Sequence, residues 1–438
     1  MEAFFRTHRY LVEHVNAPVR RTLMDEIDWS DRMIGIKGTR GIGKTTFLLQ
    51  YAKEHFDILD KQCLYINMNN FYFQGQGIAD FAGKFYKHGG RVLLIDQVFK
   101  QPNWSSELRK CYDLYPNLKI VFTGSSVMRL KDENPELNGI VKSYNLRGFS
   151  FREFINLLTG NNFRPYTLDE ILKDHERIIK QILPKVSPNR YFQDYIHHGF
   201  YPFFQEHRNY SENLLKTMNM MTEVDILLIK QIELKYLTKI KKLFYQIAEE
   251  GPAKAPNVSK LAQDIETSRA TVMNYIKYLT KIKKLFYQIA EEGPGKTPNV
   301  SKLAQDIETS RATVMNYIKY LTDARLLNLI YPVGQDFPKK PAKIMLHNSN
   351  LMYAIYPIQV DRQEAMETFF VNSLWKDHKV NTGGRDCNYL VDEKLKFRIV
   401  DAKSPGKIRF SPDTIYARYN TEIGKDNQIP LWLLGFLY

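Results

Sequence analysis

Apolar positions fall in short unbroken runs in the first third of the chain and in a helical rhythm further on. Met33-Ile34-Gly35-Ile36 leads into a glycine-rich stretch, and an apolar helix is expected to begin near Lys44. Four apolar residues, Val92-Leu93-Leu94-Ile95, follow the turn Gly89-Gly90 and end on Asp96. A third run, Leu118 to Ser126, comes after a helix-like stretch around Ser105 to Tyr115. Apolar runs of this length, bounded by turns and interleaved with helices, predict a parallel sheet in an α/β domain.

The later rhythm contains a repeat. Lys239 to Thr280 recurs as Lys281 to Thr322 with 40 of 42 positions identical, Ala253 and Ala255 being replaced by Gly295 and Thr297. Ancient repeats keep only the positions their packing needs, so identity at buried and exposed positions alike points to a recent copy. Within each copy, Asn257 to Ile265 predicts a short helix with Asn and Ser capping residues, and Ser268 to Leu279 a second one. Leu261, Ile265, Val272, Ile276 and Leu279 would share the apolar core of this helix-turn-helix pair.

The second copy alone continues into Asp323 to Pro332, the strand material of a wing. In the first, Thr280 runs straight into Lys281. Arg269 to Glu292 has no Gly or Pro and keeps Val272, Tyr275, Ile276, Leu279, Ile282, Leu285, Phe286 and Ile289 on one face. This predicts a single rod of about 24 residues, about 36 Å long. Val224 to Glu250, equally free of Gly and Pro, predicts a matching helix into the first copy. Beyond Lys343 the texture is mixed: Ile344 to His347, a helix from Arg362 to Trp375, and short strands at Asn388 to Val391, Phe397 to Ala402 and Pro430 to Leu437.

Composition bounds this picture without deciding it. A chain of 438 residues, 44% hydrophobic and 25% charged, has material for several cores. No apolar run approaches a membrane span, and the N-terminus lacks the pattern of a signal peptide, so a cytoplasmic protein with no membrane partner is expected. Cys63, Cys111 and Cys387 have no metal-ligand spacing and read as inert thiols. Each repeat carries 7 basic and 4 acidic residues, so one copy supplies 3 of the net charge of +14 and a single-copy chain would stand at 14 − 3 = +11.

The strongest chemical signal is Gly38-Thr39-Arg40-Gly41-Ile42-Gly43-Lys44-Thr45-Thr46, a strand-to-helix G-x-x-x-x-G-K-T loop. Its glycines let backbone N–H groups turn toward a phosphate at the helix N-terminus. Lys44 is expected to reach the β- and γ-phosphates of ATP and the Thr45 hydroxyl to ligate Mg²⁺. Asp96, ending its strand, is the second expected Mg²⁺ group. Gln97 follows, and Ser125 or Ser126, at the end of the next strand, is the candidate γ-phosphate sensor.

These residues resemble a family. The order IGIKGTRGIGKTTFLLQYA, VLLIDQVFKQPNWSSELRKCYD, KIVFTGSS, LRGFSFREFINLL is similar to prokaryotic AAA-type ATPases carrying a C-terminal nuclease-like domain. The resemblance extends through Gly199-Phe200-Tyr201-Pro202 to Glu367-Thr368-Phe369-Phe370. It implies ATP binding, one winged-helix module, and a glutamate after the strand-end aspartate. This chain has two modules and Gln97 instead. A glutamine can hold a water but cannot take its proton, which implies slow hydrolysis. Natural drift and a replacement that traps the ATP state are both open readings. The resemblance also puts Arg147 and Arg152 where related ATPases place arginines near a neighbour's nucleotide, with a surface or core-edge place as the alternative reading.

Two further constellations remain. A second helix of a helix-turn-helix can enter a major groove, making Arg269, Asn274 and Lys277, with their repeats Arg311, Asn316 and Lys319, candidate DNA contacts. Packing between domains is the alternative use. Asp386 and Asp401-Ala402-Lys403, with Glu367 in support, have the acid-x-Lys spacing of a metal-dependent nuclease, although Arg398 stands where the family usually has glutamate.

The expected architecture is α/β and multidomain: a P-loop NTPase core over 1–148, a helical lid over 149–222, a wingless helix-turn-helix over 223–280, a winged copy over 281–340 and a small nuclease-like α/β domain over 341–438. The expected function is ATP binding with slowed hydrolysis, coupled to the winged-helix module. An ATP-gated DNA-binding protein and a Mg²⁺-dependent nuclease are the alternatives. The sequence does not fix the oligomeric state.

Overall fold

The computed structural model describes residues 1–126, 134–206, 209–222, 269–291, 295–358, 360–384, 387–403 and 410–438, without the side chains of 269–277 and 279. The expected helices over Val224 to Glu250 and Asn257 to Ile265, and the acid Asp386, lie outside these residues. The chain divides into two compact units, one holding Met1–Gly148 and the other the described residues from Phe149 onward.

The first unit is built on a five-stranded parallel sheet: β1 (Met33–Gly38), β2 (Cys63–Asn67), β3 (Val92–Asp96), β4 (Lys119–Ser125) and β5 (Lys142–Asn145), in the order β2-β3-β4-β1-β5. The register sets Gly38 beside Ser125 and Asn67 beside Asp96. Four strand ends therefore meet along one edge, the place where open α/β sheets bind ligands. Helix α1 is Glu2–His14, α2 Lys44–His55, α3 Ile78–Lys87 and α4 Trp104–Leu114. Phe81, Phe85, Leu108, Ile120 and Phe122 are buried between helices and sheet. Edge strand β2 is covered by α1: the Tyr65 backbone N–H donates to buried His8 Nδ1 at 3.0 Å, so this edge group is paired within the chain.

The second unit begins with α5 (Phe151–Thr159), α6 (Leu168–Ile182), α7 (Pro188–Asp194), a π-turn at Tyr195–Gly199 and α8 (Tyr210–Met220). Capping boxes at Ser150/Glu153 and Thr167/Glu170 start α5 and α6. The region expected as a separate lid does not close its core alone. Phe151 packs on Phe436 at 6.3 Å between ring centroids and Phe192 on Phe369 at 4.9 Å, so 149–222 and the C-terminal residues close one aromatic core. Hydropathy marks such rings as buried but not which distant rings bury them.

Helix α9, Arg269–Glu291, runs 23 residues without interruption across the junction of the two copies. The second copy follows as α10 (Val300–Asp306) and α11 (Arg311–Asp323), capped by Asn299 and Ser310. Leu303, Ile307, Val314, Ile318 and Leu321 are buried between them. Strand β6 (Leu327–Ile330) pairs antiparallel with β7 (Lys343–Leu346). That pairing departs from the expected boundary at residue 340, because β7 completes the hairpin begun by the wing strand. A four-residue apolar run does not declare which sheet it joins.

Helices α12 (Ser349–Ile355) and α13 (Arg362–Leu374) lead to the second sheet. It comprises β8 (Val380–Thr382), β9 (Tyr389–Val391), β10 (Leu395–Asp401), β11 (Thr414–Tyr419) and β12 (Gln428–Pro430) in that order, antiparallel from β8 to β10 and parallel from β10 to β12.

Candidate nucleotide-binding site

The loop from β1 to α2 is shaped by three glycines. Gly41 and Gly43 have φ of 77° and 88°, left-handed backbone that favours residues without a Cβ. Gly38 is constrained differently: a Cβ there would come within 2.6 Å of the Leu146 carbonyl and 2.4 Å of Ile42 Cδ1. Leu146 N–H donates to Lys37 O at 2.8 Å, which draws the residue after β5 against the end of β1. Ile42 is buried beneath the loop as its apolar anchor.

The candidate side chains converge at this loop. Lys44 Nζ donates to Gly38 O at 2.8 Å and Thr39 O at 2.7 Å, so the lysine lies across the mouth of the turn. Thr45 Oγ1 donates to Asp96 Oδ2 at 2.7 Å, joining the first turn of α2 to the end of β3. These two oxygen groups suit a hard cation such as Mg²⁺. Arg40 and Thr46 occupy the loop and the first turn of α2.

The surroundings of Asp96 hold what the sequence reading missed. Its Oδ2 also accepts from Tyr65 OH at 2.9 Å and Asn67 Nδ2 at 3.2 Å, and its Oδ1 accepts from Thr123 Oγ1. Thr123 Oγ1 in turn accepts from Gln97 N–H at 2.9 Å. Burial and the charge of Asp96 push the Tyr65 phenol well up, keeping it protonated as a donor. Tyr65 and Asn67 lie two residues apart at the end of β2, a spacing that the β2–β3 register turns into a contact. No local motif announces it.

Ser125 Oγ is buried beside Gly38 and has no hydrogen-bond partner among the described residues. A buried hydroxyl without a partner at the end of β4 suits an acceptor brought by a ligand. Ser126 follows it in a turn, half-exposed. Arg21 is a second residue the reading missed. Its buried guanidinium donates to Ile42 O at 3.1 Å and to the carbonyls of Arg147 and Gly148, tying the loop to residues beyond β5.

Arg152 is buried in the second unit, donating to Phe163 O at 2.9 Å and Tyr438 O at 3.2 Å. Arg152 is thus held within the core of this unit. Of the three thiols, Cys63 and Cys111 are buried and Cys387 is half-buried, and burial pushes Cys111 up to about 12.

The remaining candidates are spread across the second unit. Arg311 and Asn316 are exposed on α11, while Lys319 Nζ lies 4.5 Å from the centroid of the Phe337 ring. Arg269, Asn274 and Lys277 lie on the backbone of α9, their side chains outside the described set. Glu367 accepts from Tyr389 OH at 2.6 Å, Lys343 Nζ at 3.2 Å and Gln363 Nε2 at 3.1 Å. Asp401 accepts from Asn420 Nδ2 at 2.7 Å and from the Lys403 backbone at 2.8 Å, and the Lys403 side chain is exposed. Among the described residues no three His, Cys, Asp or Glu side chains are grouped to hold a metal. No helix among them is long and apolar enough to cross a membrane.

No curated protein matches the chain. Among solved structures it is similar to AMPPCP-bound DnaA from Aquifex aeolicus at 15% identity, over 64% of this chain and 87% of that one, with a TM-score of 0.23. It is similar to the Orc1 protein of Aeropyrum pernix, solved in complex with DNA, at 11% identity over 84% and 91%, with a TM-score of 0.28. PCH-2 of C. elegans shares 17% identity over 36% and 43%, with a TM-score of 0.22. The sequence pattern of the AAA domain family matches residues 30–155, the span from the start of β1 into α5. The glycine loop, the strand-end aspartate and the five-stranded parallel sheet thus belong to an AAA domain.

Proposed function

We propose that this chain binds ATP with Mg²⁺ at the Gly38–Thr46 loop and hydrolyses it slowly, the nucleotide state being read by a winged-helix module formed by the second copy. The observation that carries the reading is the meeting of Lys44, Thr45 and Asp96 at one loop, with Thr45 and Asp96 2.7 Å apart. Lys44 would neutralise phosphate charge, Thr45 and Asp96 would hold the metal, and Ser125 would meet the γ-phosphate. Bound Mg²⁺ supplies charge neutralisation across the β- and γ-phosphates.

Gln97 sets the rate. Its amide can orient an attacking water but offers no basic atom to receive the proton. Gln97→Glu is therefore expected to raise ATP turnover by about 10²-fold, the usual scale of a general base. Affinity for ATP should stay within a few-fold, and Lys44→Ala should abolish binding. Turnover unchanged by Gln97→Glu would refute the slowed-hydrolysis reading.

DNA is the second reading, favoured by the exposure of Arg311 and Asn316 on one capped helix. Binding of duplex DNA that weakens steeply with salt and changes between ATP-bound and nucleotide-free protein would support it. Identical binding by Arg311→Ala/Asn316→Ala would remove α11 as the contact. For the C-terminal sheet the proposal is a nuclease-like fold without catalysis, since Glu367 is held by Lys343 and Tyr389.

A further inference from the structure

The two copies differ at two positions out of 42, Ala253 against Gly295 and Ala255 against Thr297. Both second-copy residues fall where the chain meets β7. Gly295 N–H donates to Ile344 O at 2.8 Å, Ile344 N–H to Lys296 O at 3.4 Å, and Thr297 Oγ1 to Ala342 O at 2.8 Å. Because Ile344 turns its own N–H and carbonyl to this segment, residues 295–297 occupy the edge of β7 that β6 does not use.

Each difference has a physical meaning at this seat. Gly295 has φ of 94°, a left-handed conformation that costs an alanine free energy. Space is not the obstacle, since a Cβ there would stand 3.8 Å from Glu364 Oε1, an ordinary contact. Thr297 brings a hydroxyl donor for a backbone carbonyl, and alanine brings none. At both positions the first copy carries the residue that fits less well. The helix-core residues are the same in both copies and do not discriminate between them.

We propose that Gly295 and Thr297 are the residues that assign the edge of β7 to the second copy and exclude the first copy from it. The excluded occupant is a near-identical segment of this chain, whether from the same molecule or another. Chain connection also favours the second copy, because Thr322 leads directly toward β6. Exchanging the two residue pairs leaves that connection untouched and isolates their contribution.

The test is amide hydrogen exchange on the full chain, read by mass spectrometry. The two copies yield peptides of different mass at these positions, so their exchange is resolved separately. In the unaltered chain, position 295 is expected to be protected and position 253 not. In the quadruple variant A253G/A255T/G295A/T297A, the protection factor at position 295 should fall at least tenfold. Protection at 295 kept at the original level in that variant, or equal protection at 253 and 295 in the unaltered chain, would overturn the proposal. Should the quadruple variant fail to fold, Thr297→Ser and Thr297→Val decide. The serine form should keep the protection and the valine form lose it, and equal protection in both would remove Thr297 from the mechanism.

Discussion

Gln97 has φ of 57° and sits in the left-handed region, immediately after Asp96 at the end of β3. Its N–H donates to Thr123 Oγ1, whose hydroxyl in turn donates a hydrogen bond to Asp96 Oδ1. One threonine therefore holds both Asp96 and Gln97 in place. Its burial on β4 makes it costly to change. Another single residue, His8, ties stability to pH. Burial lowers its pKa from 6.5 to about 4, and its Nδ1 must stay unprotonated to accept from Tyr65 N–H. The stability this neutral ring contributes is complete above pH 6.5 and is lost as pH falls toward 4. The full loss is about 3 kcal/mol, from about 1.4 kcal/mol per unit of pKa difference. Denaturant titrations at pH 7 and pH 4.5 should show it as a difference between the chain and His8→Leu. The leucine variant should be less stable at pH 7, where Tyr65 loses its acceptor, yet lose less on acidification. Parallel pH profiles for the two would remove His8 as the titrating group.

At the level of elements, what could be read from sequence was what lies close along the chain. The glycine loop, its strand and its helix occupy one stretch from Met33 to His55, so spacing alone singled out Lys44 and Thr45 as candidates. The fused helix was legible for the same reason, being an unbroken 3.6-residue rhythm. Residues that act through distant partners left no local trace. Arg21 reaches Ile42 and residues 147–148, and Tyr65 and Asn67 reach Asp96 through sheet register. The aromatic residues of α5 and α7 share a core with Phe369 and Phe436, a pairing that no local pattern carries. Two substitutions test how the loop is held. Gly38→Ala forces a Cβ against the Leu146 carbonyl and must displace either β1 or the residues after β5. Arg21→Ala leaves three carbonyls, two of them in buried contacts, without this donor, at about 1–3 kcal/mol for each buried group left unsatisfied. Both should weaken ATP binding at least tenfold in a nucleotide titration. Full affinity in Arg21→Ala would show that the loop keeps its shape without the buried guanidinium.

For the whole molecule, the repeat makes an unusual comparison available. Removing 239–280 joins Thr238 to Lys281, and removing 281–322 joins Thr280 to Asp323. Lys-Tyr-Leu-Thr ends at 238, 280 and 322, so both joins keep the local sequence in phase. Both products keep one helix-turn-helix, the β6–β7 hairpin and the C-terminal sheet, and they differ only in carrying Gly and Thr or Ala and Ala at the seat on β7. If the extra copy serves as a spacer, both shortened chains should fold and bind ATP with the affinity of the parent. Aggregation or loss of ATP binding in both would show that the duplicated copy is structurally required. Their stabilities should nevertheless separate. Alanine in the left-handed conformation costs about 1–2 kcal/mol, and the lost threonine hydrogen bond about 1 kcal/mol. The chain retaining Gly295 and Thr297 should therefore be the more stable of the pair by about 2–3 kcal/mol. A shift of that size in urea unfolding would be carried by two residues that leave the helix core unchanged. Equal unfolding midpoints would mean that the hairpin accepts either copy, leaving chain connection alone to decide which one it holds.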